Sequence, residues 1–350
     1  MKKELNKGKN KSTQKSEIIN FDEIHLIGIE ELKKYCSRNK FFDENYKLEE
    51  IIGYGSESIV CSCSCIFKDK NKIAVKIIFN KKKDEMDLNE KKIISKLKNQ
   101  NIITYFGYSI IEENQIWCLY MEYAKFGSLR NFRKNILKMK YFSESFICYI
   151  AYQILNGLIY CHKTKIANMD IKQNNIVVDE FINFKIIDFS ISINYQDKKL
   201  NDTIILPIIG TSFYIPLEVL YRQRIKYKNL NKIDLYSFGV ILYNLAFDAF
   251  PYNLIYDDQE KYAQIKEKIY FNDIGLTNDK GYSIYFLDFL NKILEKDIYK
   301  RINIFEAKEH YWIKGSKILL THKEKINNIN IFVHALLNNY LKEFNDYMGI

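Results

Sequence analysis

Apolar and polar positions first alternate along this chain in brief β-like runs, at 47–52, 59–67, 72–79, 104–111 and 115–123. One helix-like stretch, 84–98, interrupts them. Beyond Lys125 the period lengthens to that of helices. Ser143 stands where an N-cap would, and Phe146, Ile147, Ile150, Ile154, Leu155, Leu158 and Ile159 form one stripe on a helix predicted to run to about His162. Strands first and helices later predict an α+β protein, with a β-rich N-terminal lobe over 46–123 and a mainly helical C-terminal lobe over 124–313. Residues 1–18 are rich in Lys, Asn, Ser and Gln and carry no pattern, which predicts a disordered basic tail. An N-terminal extension over 19–45 follows, with an amphipathic piece at 21–35. At the other end, 314–350 reads as a helical extension. Ile326, Ile329, Val333, Leu336, Leu337, Tyr340 and Phe344 fall at helical spacing there, suited to docking on the same chain or to a partner. No internal repeats are evident.

Composition narrows the classes. The 350 residues are 47% hydrophobic and 27% charged, too apolar for a mostly disordered protein. No apolar run approaches the ~20 residues of a membrane helix. The lysine-rich start lacks a signal-peptide core, and neither Gly at position 2 nor a C-terminal Cys signal is present. A soluble intracellular protein is expected, cytoplasmic with the nucleus open. The 7 cysteines are odd in number and dispersed, which speaks against a disulfide framework. The net charge is +10, but the lysines are scattered rather than gathered in Arg-rich, aromatic-interleaved patches, so nucleic acid is disfavoured as a partner. Cys61, Cys63 and Cys65 share one face of a predicted strand. With no His or fourth Cys nearby, they read as small apolar packing residues rather than metal ligands. His162, at a helix end, reads as structural, and Lys81-Lys82-Lys83 as a solvated loop.

Three stretches carry chemistry. In Ile51-Ile52-Gly53-Tyr54-Gly55-Ser56-Glu57-Ser58-Ile59-Val60, two glycines between apolar strands let backbone amides approach an anion. Taken alone, the same residues fit an ordinary hairpin turn. In Ile73-Ala74-Val75-Lys76-Ile77-Ile78 one lysine interrupts an apolar strand, and 14 residues later Glu90 shares a predicted helix face with Ile93, Ile94 and Leu97. A carboxylate on a buried stripe needs a partner, and Lys76 is the obvious one. In the third stretch, Asp170, Asn175 and Asp188 are oxygen donors bordering apolar strands, suited to a hard cation such as Mg2+, although Asp and Asn also favour turns.

Taken in order, these stretches resemble the eukaryotic protein-kinase catalytic domain, serine/threonine branch, from about Tyr46 to Trp312. Later matches are Gly210-Thr211-Ser212-Phe213-Tyr214-Ile215-Pro216-Leu217-Glu218, Asp234-Leu235-Tyr236-Ser237-Phe238-Gly239-Val240, and Arg301 as partner of Glu218. The resemblance implies a bilobal fold with an ATP cleft between the lobes. Ile52, Val60, Ala74 and Val177 would sandwich the adenine, with Met121 as gatekeeper. The Glu122 carbonyl and the Ala124 amide would bind the adenine edge. Gly53 and Gly55 would cover the phosphates, and Lys76, held by Glu90, would contact them. Asn175 and Asp188 would hold Mg2+, Asp170 would orient the acceptor hydroxyl and take its proton, and Lys172 would neutralise the γ-phosphate. Lys172 and Thr211 resemble the serine/threonine branch, which implies protein substrates with Ser/Thr acceptors. Asp234 fits an N-cap, and the role the resemblance implies for it, bonding the catalytic-loop amides, is compatible with that.

The chain departs from the pattern in several places. Met169 stands where many kinases carry an Arg that binds an activation-loop phosphate, so activity is expected not to need phosphorylation there. Asn168 replaces His, and its amide needs hydrogen-bond partners and is expected to loosen packing against Phe189. Ser190 replaces Gly, which is expected to disfavour a flipped Phe189. Ser58 stands at the third loop glycine, and Pro216-Leu217-Glu218 replaces Ala-Pro-Glu. Two function classes follow: an active kinase, or a pseudokinase serving as a nucleotide-binding or scaffold module. The retained set Lys76, Glu90, Asp170, Asn175 and Asp188 favours the enzyme.

Overall fold

The computed structural model describes residues 27–314 apart from 39, 56, 67–71, 80–85, 112–115, 210–211, 254–269 and 272–280. The 1–18 tail, the start of the 21–35 stretch, the lysine run 81–83, Thr211 and the C-terminal stripe lie outside the described residues.

The N-terminal part is a five-stranded antiparallel sheet in the order β1-β2-β3-β5-β4. Its strands are β1 (Tyr46–Tyr54), β2 (Ser58–Cys65), β3 (Lys72–Phe79), β4 (Tyr105–Ile111) and β5 (Ile116–Glu122). Each expected run is present, with ends shifted by one or two residues. Strand alternation divides β3 into two faces. Val75, Ile77 and Phe79 join Cys61, Cys63, Cys118 and Tyr120 in one dry cluster. Ala74 and Lys76 face the opposite side. Cys61 and Cys63 are fully buried and Cys65 half-buried, as expected of small apolar side chains.

Two short helices, α1 (Ile29–Cys36) and α2 (Lys40–Asn45), cover that dry face, and α2 was not evident in the sequence pattern. Ile27, Leu32, Cys36 and Phe42 are buried in the same cluster. Burying side chains such as Leu32 and Phe42 contributes about 1.5–3 kcal/mol each. On the other side lies α3 (Met86–Ile94), which ends four residues before the expected 98. It ends before Leu97, which is nonetheless buried beside Ile93 and Ile94.

The C-terminal part is built on α5 (Glu144–Lys163), preceded by the helical turn α4 (Leu129–Asn131). Ser143 caps α5 by accepting a hydrogen bond from the Phe146 N–H, as its position predicted. Beyond α5 come the short antiparallel pairs β6 (Ile166–Ala167) with β9 (Ile193–Asn194), and β7 (Ile176–Val178) with β8 (Phe184–Ile186). Strand β10 (Thr203–Ile205) pairs with β11 (Arg224–Lys226) around α6 (Leu217–Leu220). The central helix α7 (Leu230–Phe247) is buried along nearly its whole length and packs on α5, α8 (Ile284–Ile293) and α9 (Ile304–Glu309). A last two-residue pair joins β12 (Tyr252–Asn253) to β13 (Tyr270–Phe271).

One glycine marks the closest approach in this core. A Cβ on Gly157 of α5 would lie 2.8 Å from the Asn101 carbonyl oxygen and 3.0 Å from Ile186. Only hydrogen lets α5 seat against the chain that enters β4. Among the described residues no helix is long and apolar enough to cross a membrane.

Candidate active site

Strand alternation puts Lys76 on the face of β3 away from the dry cluster, and α3 meets it there. The Lys76 ammonium donates to Glu90 Oε1 at 2.9 Å and Oε2 at 2.8 Å, and to Asp188 Oδ1 at 3.2 Å. The two odd placements in the sequence are thus one ion pair, and Asp188 is its third member. Burial opposes the Lys76 charge, but Glu90 and Asp188 outweigh it and hold its pKa above the ordinary lysine value. Burial pushes the Glu90 carboxyl up, with Lys76 pulling the other way. For Asp188, burial opposes the charge, yet Lys76 and the donors of Ser190 outweigh it and keep the carboxyl below the usual carboxylate value.

The loop after β6 carries Asp170. Its Oδ2 accepts from Lys172 Nζ at 2.7 Å and from Asn175 Nδ2 at 2.7 Å. Burial, with repulsion from Asp188 adding to it, raises the Asp170 carboxyl, while Lys172 and Asn175 oppose the rise. The loop itself is held from α7. Asp234 accepts from the Asn168 N–H at 2.9 Å, the Met169 N–H at 2.8 Å and His162 Nε2 at 2.7 Å. The N-cap expectation for Asp234 is overturned, because α7 starts at Leu230 and Asp234 sits inside it. His162, fully enclosed between Asp234 and Tyr195, braces the loop, in keeping with a structural residue.

Asn168 does not loosen the site. Its side chain is completely buried and bonds at both ends, donating to the Asp188 carbonyl at 3.0 Å and accepting from the Asp170 N–H at 3.0 Å. Phe189 is fully buried in the C-terminal core. Asp188 adopts φ of 60°, whereas Ser190 is not among the residues with positive φ, so its backbone does not call for glycine.

The remaining expected residues differ in exposure. Ala74 and Met121 are buried, Val60 and Val177 half-buried, and Ile52 exposed at 44%. Ala74 sits opposite Met121 in the β3–β5 register, and Gly53 opposite Val60 in the β1–β2 register. Glu122 is the last residue of β5, and Ala124 lies in the segment leaving it. The two glycines differ. Gly55 closes a tight turn, its N–H donating to the Ser58 carbonyl at 2.7 Å, and a Cβ there would lie 2.6 Å from Ser58 Oγ. At Gly53 a Cβ would meet nothing nearer than 3.9 Å, so the packing of the fold does not itself demand glycine there.

Sequence reasoning missed a second buried cation. Lys185 of β8 donates to Glu122 at 2.7 Å, and Glu122 also accepts from Thr104 Oγ1 at 2.8 Å. This ties the segment joining the two halves to both of them. A lysine at the centre of the apolar run Phe184-Lys185-Ile186-Ile187 was the available signal. Another omission is an apolar cavity of about 350 Å³ beside Asp170, where Met169, Ile191, Ile204, Leu206, Pro207 and Ile215 are among the lining residues.

Residues 46–313 match the model of the protein kinase domain. The chain belongs to the protein kinase family. The Arg301–Glu218 pair of this kinase, at 2.7 Å and nearly solvent-free, agrees with the expected partnership. Its sheet-then-helices architecture is that of the bilobal kinase fold. It is 31% identical over 284 residues to the serine/threonine-protein kinase pakH of Dictyostelium discoideum, which covers 79% of this chain and 51% of that one. It is likewise 31% identical over 304 residues to calcium-dependent protein kinase 4 of Plasmodium berghei (strain Anka), covering 83% of this chain and 52% of the other. The SNF1-related protein kinase catalytic subunit alpha KIN12 of Arabidopsis thaliana is 28% identical over 276 residues, covering 77% and 52% respectively. The kinase thus spans about half the length of these curated relatives.

Proposed function

We propose that this protein transfers the γ-phosphoryl group of ATP to Ser/Thr hydroxyls of protein substrates. The observation that carries the reading is the convergence of Lys76, Glu90, Asp170, Asn175 and Asp188, drawn from four separate stretches, into two hydrogen-bonded clusters linked through Asn168.

Phosphoryl transfer through a loose transition state asks mainly for positioning and charge. Lys76, kept charged and aimed by Glu90, would grip the α- and β-phosphates. Asp170, its carboxyl held by Lys172 and Asn175, would orient the acceptor hydroxyl and receive its proton. Lys172 would then sit beside the γ-phosphate. Gly53 would admit the triphosphate beneath β1 and β2, and Ile52, Val60, Ala74 and Val177 would enclose the adenine, with Met121 behind it. The Glu122 carbonyl and Ala124 N–H would meet the adenine edge.

The donor set suits Mg2+. Among the described residues no group of three His, Cys, Asp or Glu side chains could hold a metal unaided. Mg2+ typically takes one or two protein oxygens and fills its shell with water and phosphate. Asp188 and Asn175 supply such oxygens, and the Asn175 amide nitrogen is already committed to Asp170, which leaves the oxygen end for the cation. Bound there, the ion would neutralise phosphate charge. We further assign the protein to the intracellular space, with its terminal extensions open to partners.

Incubating the protein with Mg-ATP and a generic acceptor protein, beside an Asp170→Ala control, tests the reading. Transfer by the wild type alone is expected. Equal signal from both would show a contaminant, and absence of transfer with intact nucleotide binding would leave a pseudokinase acting as a scaffold.

A further inference from the structure

Asp170 and Asp188 lie on different stretches and repel each other, yet the proposed chemistry needs them in fixed register. One neutral side chain spans them. The Asn168 amide donates through Nδ2 to the Asp188 carbonyl at 3.0 Å and accepts through Oδ1 from the Asp170 N–H at 3.0 Å. Its orientation admits no flip, because the Asp188 carbonyl can only accept and the Asp170 N–H can only donate. Every other polar group of Asn168 is also engaged. Its N–H donates to Asp234, and its carbonyl accepts from Ser192 Oγ at 3.0 Å. The side chain is completely buried, so neither bond competes with water. Both neighbours are conformationally demanding, with φ of 70° at Met169 and 60° at Asp188, a region non-glycine residues enter only when held there.

We infer that Asn168 is a positioning residue that fixes the proton-accepting Asp170 relative to the metal-holding Asp188. The inference rests on the kinase reading above. Completely buried, the Asn168 side chain is out of reach of substrate and cofactor atoms. It acts by holding the Asp188 carbonyl, which sets where the Asp188 carboxylate emerges beside Lys76, and by holding the Asp170 N–H from the opposite end of the same amide. An amide does this without a proton of its own to lose, so the link is independent of pH from its side.

The test compares Asn168→Leu, similar in size with neither bond, and Asn168→His, which carries one ring donor and one ring acceptor. Transfer rate is measured alongside binding of a fluorescent ATP analogue titrated with magnesium chloride. Loss of both bonds in the leucine variant is expected to lower kcat by about 10- to 100-fold. It should also raise the Mg2+ concentration for half-maximal tightening of nucleotide binding by roughly tenfold, with metal-free nucleotide affinity little changed. The histidine variant is expected to recover most of both. A merely structural role would lower the melting temperature and leave the Mg2+ midpoint at the wild-type value, and that result overturns the inference. Should the leucine variant fail to fold, Asn168→Ser, too short to reach both partners, is read by the same titration. A wild-type midpoint there is equally fatal. The binding arm separates the two failures. A wild type that binds Mg-nucleotide but transfers no phosphate defeats the kinase reading alone, whereas variants with wild-type metal response defeat this inference alone.

Discussion

Arg301→Met removes one half of a deeply buried ion pair. The Arg301 guanidinium donates to Glu218 Oε1 at 2.7 Å and Oε2 at 3.2 Å, with the two side chains 0% and 2% exposed. It also donates to the carbonyls of Glu295 at 2.8 Å and Lys232 at 3.0 Å and lies 4.6 Å from the Tyr236 ring centroid. The two partners therefore depend on the pair unequally. Without Arg301, no other side-chain donor among the described residues bonds the Glu218 carboxylate in its solvent-free site. Without the Glu218 charge, Arg301 still has its carbonyls and the ring face. Stranding one member of a buried pair costs about 3–5 kcal/mol. For a domain of this size that lowers Tm by roughly 6–20 °C, at about 2–4 °C per kcal/mol. Thermal denaturation followed by dye fluorescence measures it. Arg301→Met should be the most damaging variant, Glu218→Gln clearly milder, and the double variant Glu218→Met/Arg301→Met should recover part of the single loss through coupling. A Tm for Arg301→Met within about 3 °C of wild type, a shift worth only ~1 kcal/mol, would refute the reasoning. So would a Glu218→Gln loss as large as that of Arg301→Met.

Two further outcomes are expected. Lys76 holds the Asp188 carboxyl below its ordinary pKa, so the stability this contact supplies is present above about pH 4 and lost as pH falls through the lower folded value. Lys76→Met should therefore flatten the acid limb of Tm against pH while abolishing phosphate transfer, and an unchanged acid limb would contradict the assigned contact. Thr203 is exposed on β10, and Met169, where a cation would be needed to hold a phosphate, lines an apolar cavity with Ile204 and Leu206. Phosphatase-treated protein and Thr203→Ala should both retain most activity in the transfer assay, and loss of nearly all activity in both would show that a phosphate is needed after all.

Much of the site was legible because chemistry stood out against pattern. Lys76 inside an apolar strand and Glu90 on an apolar helix stripe each violate burial rules, and one ion pair resolves both. Ser143 was legible for the converse reason, since a cap is a local event between residues three apart. Asn168 was legible only as an anomaly. Its consequence was misjudged because its partners, Asp188 and Asp170, are set by how two loops meet. The Lys185–Glu122 tie was missed for a related reason. Glu122 sits among ordinary strand-end residues, and nothing local marks it as the partner of a lysine 63 residues away.

The sequence by itself determined the alternation of the sheet, the helical block that follows it, and the ordered donors and cations that identify the family, because each depends on spacing along one backbone. Tertiary structure alone decided which surfaces met. It laid α1 and α2 over the dry face of the sheet, ended α3 before Leu97 while still burying that side chain, and turned the Asn168 amide into a bridge. Burial and hydrogen bonding between distant segments depend on where whole elements come to rest, and a periodic pattern fixes the face a residue occupies without fixing what will cover it.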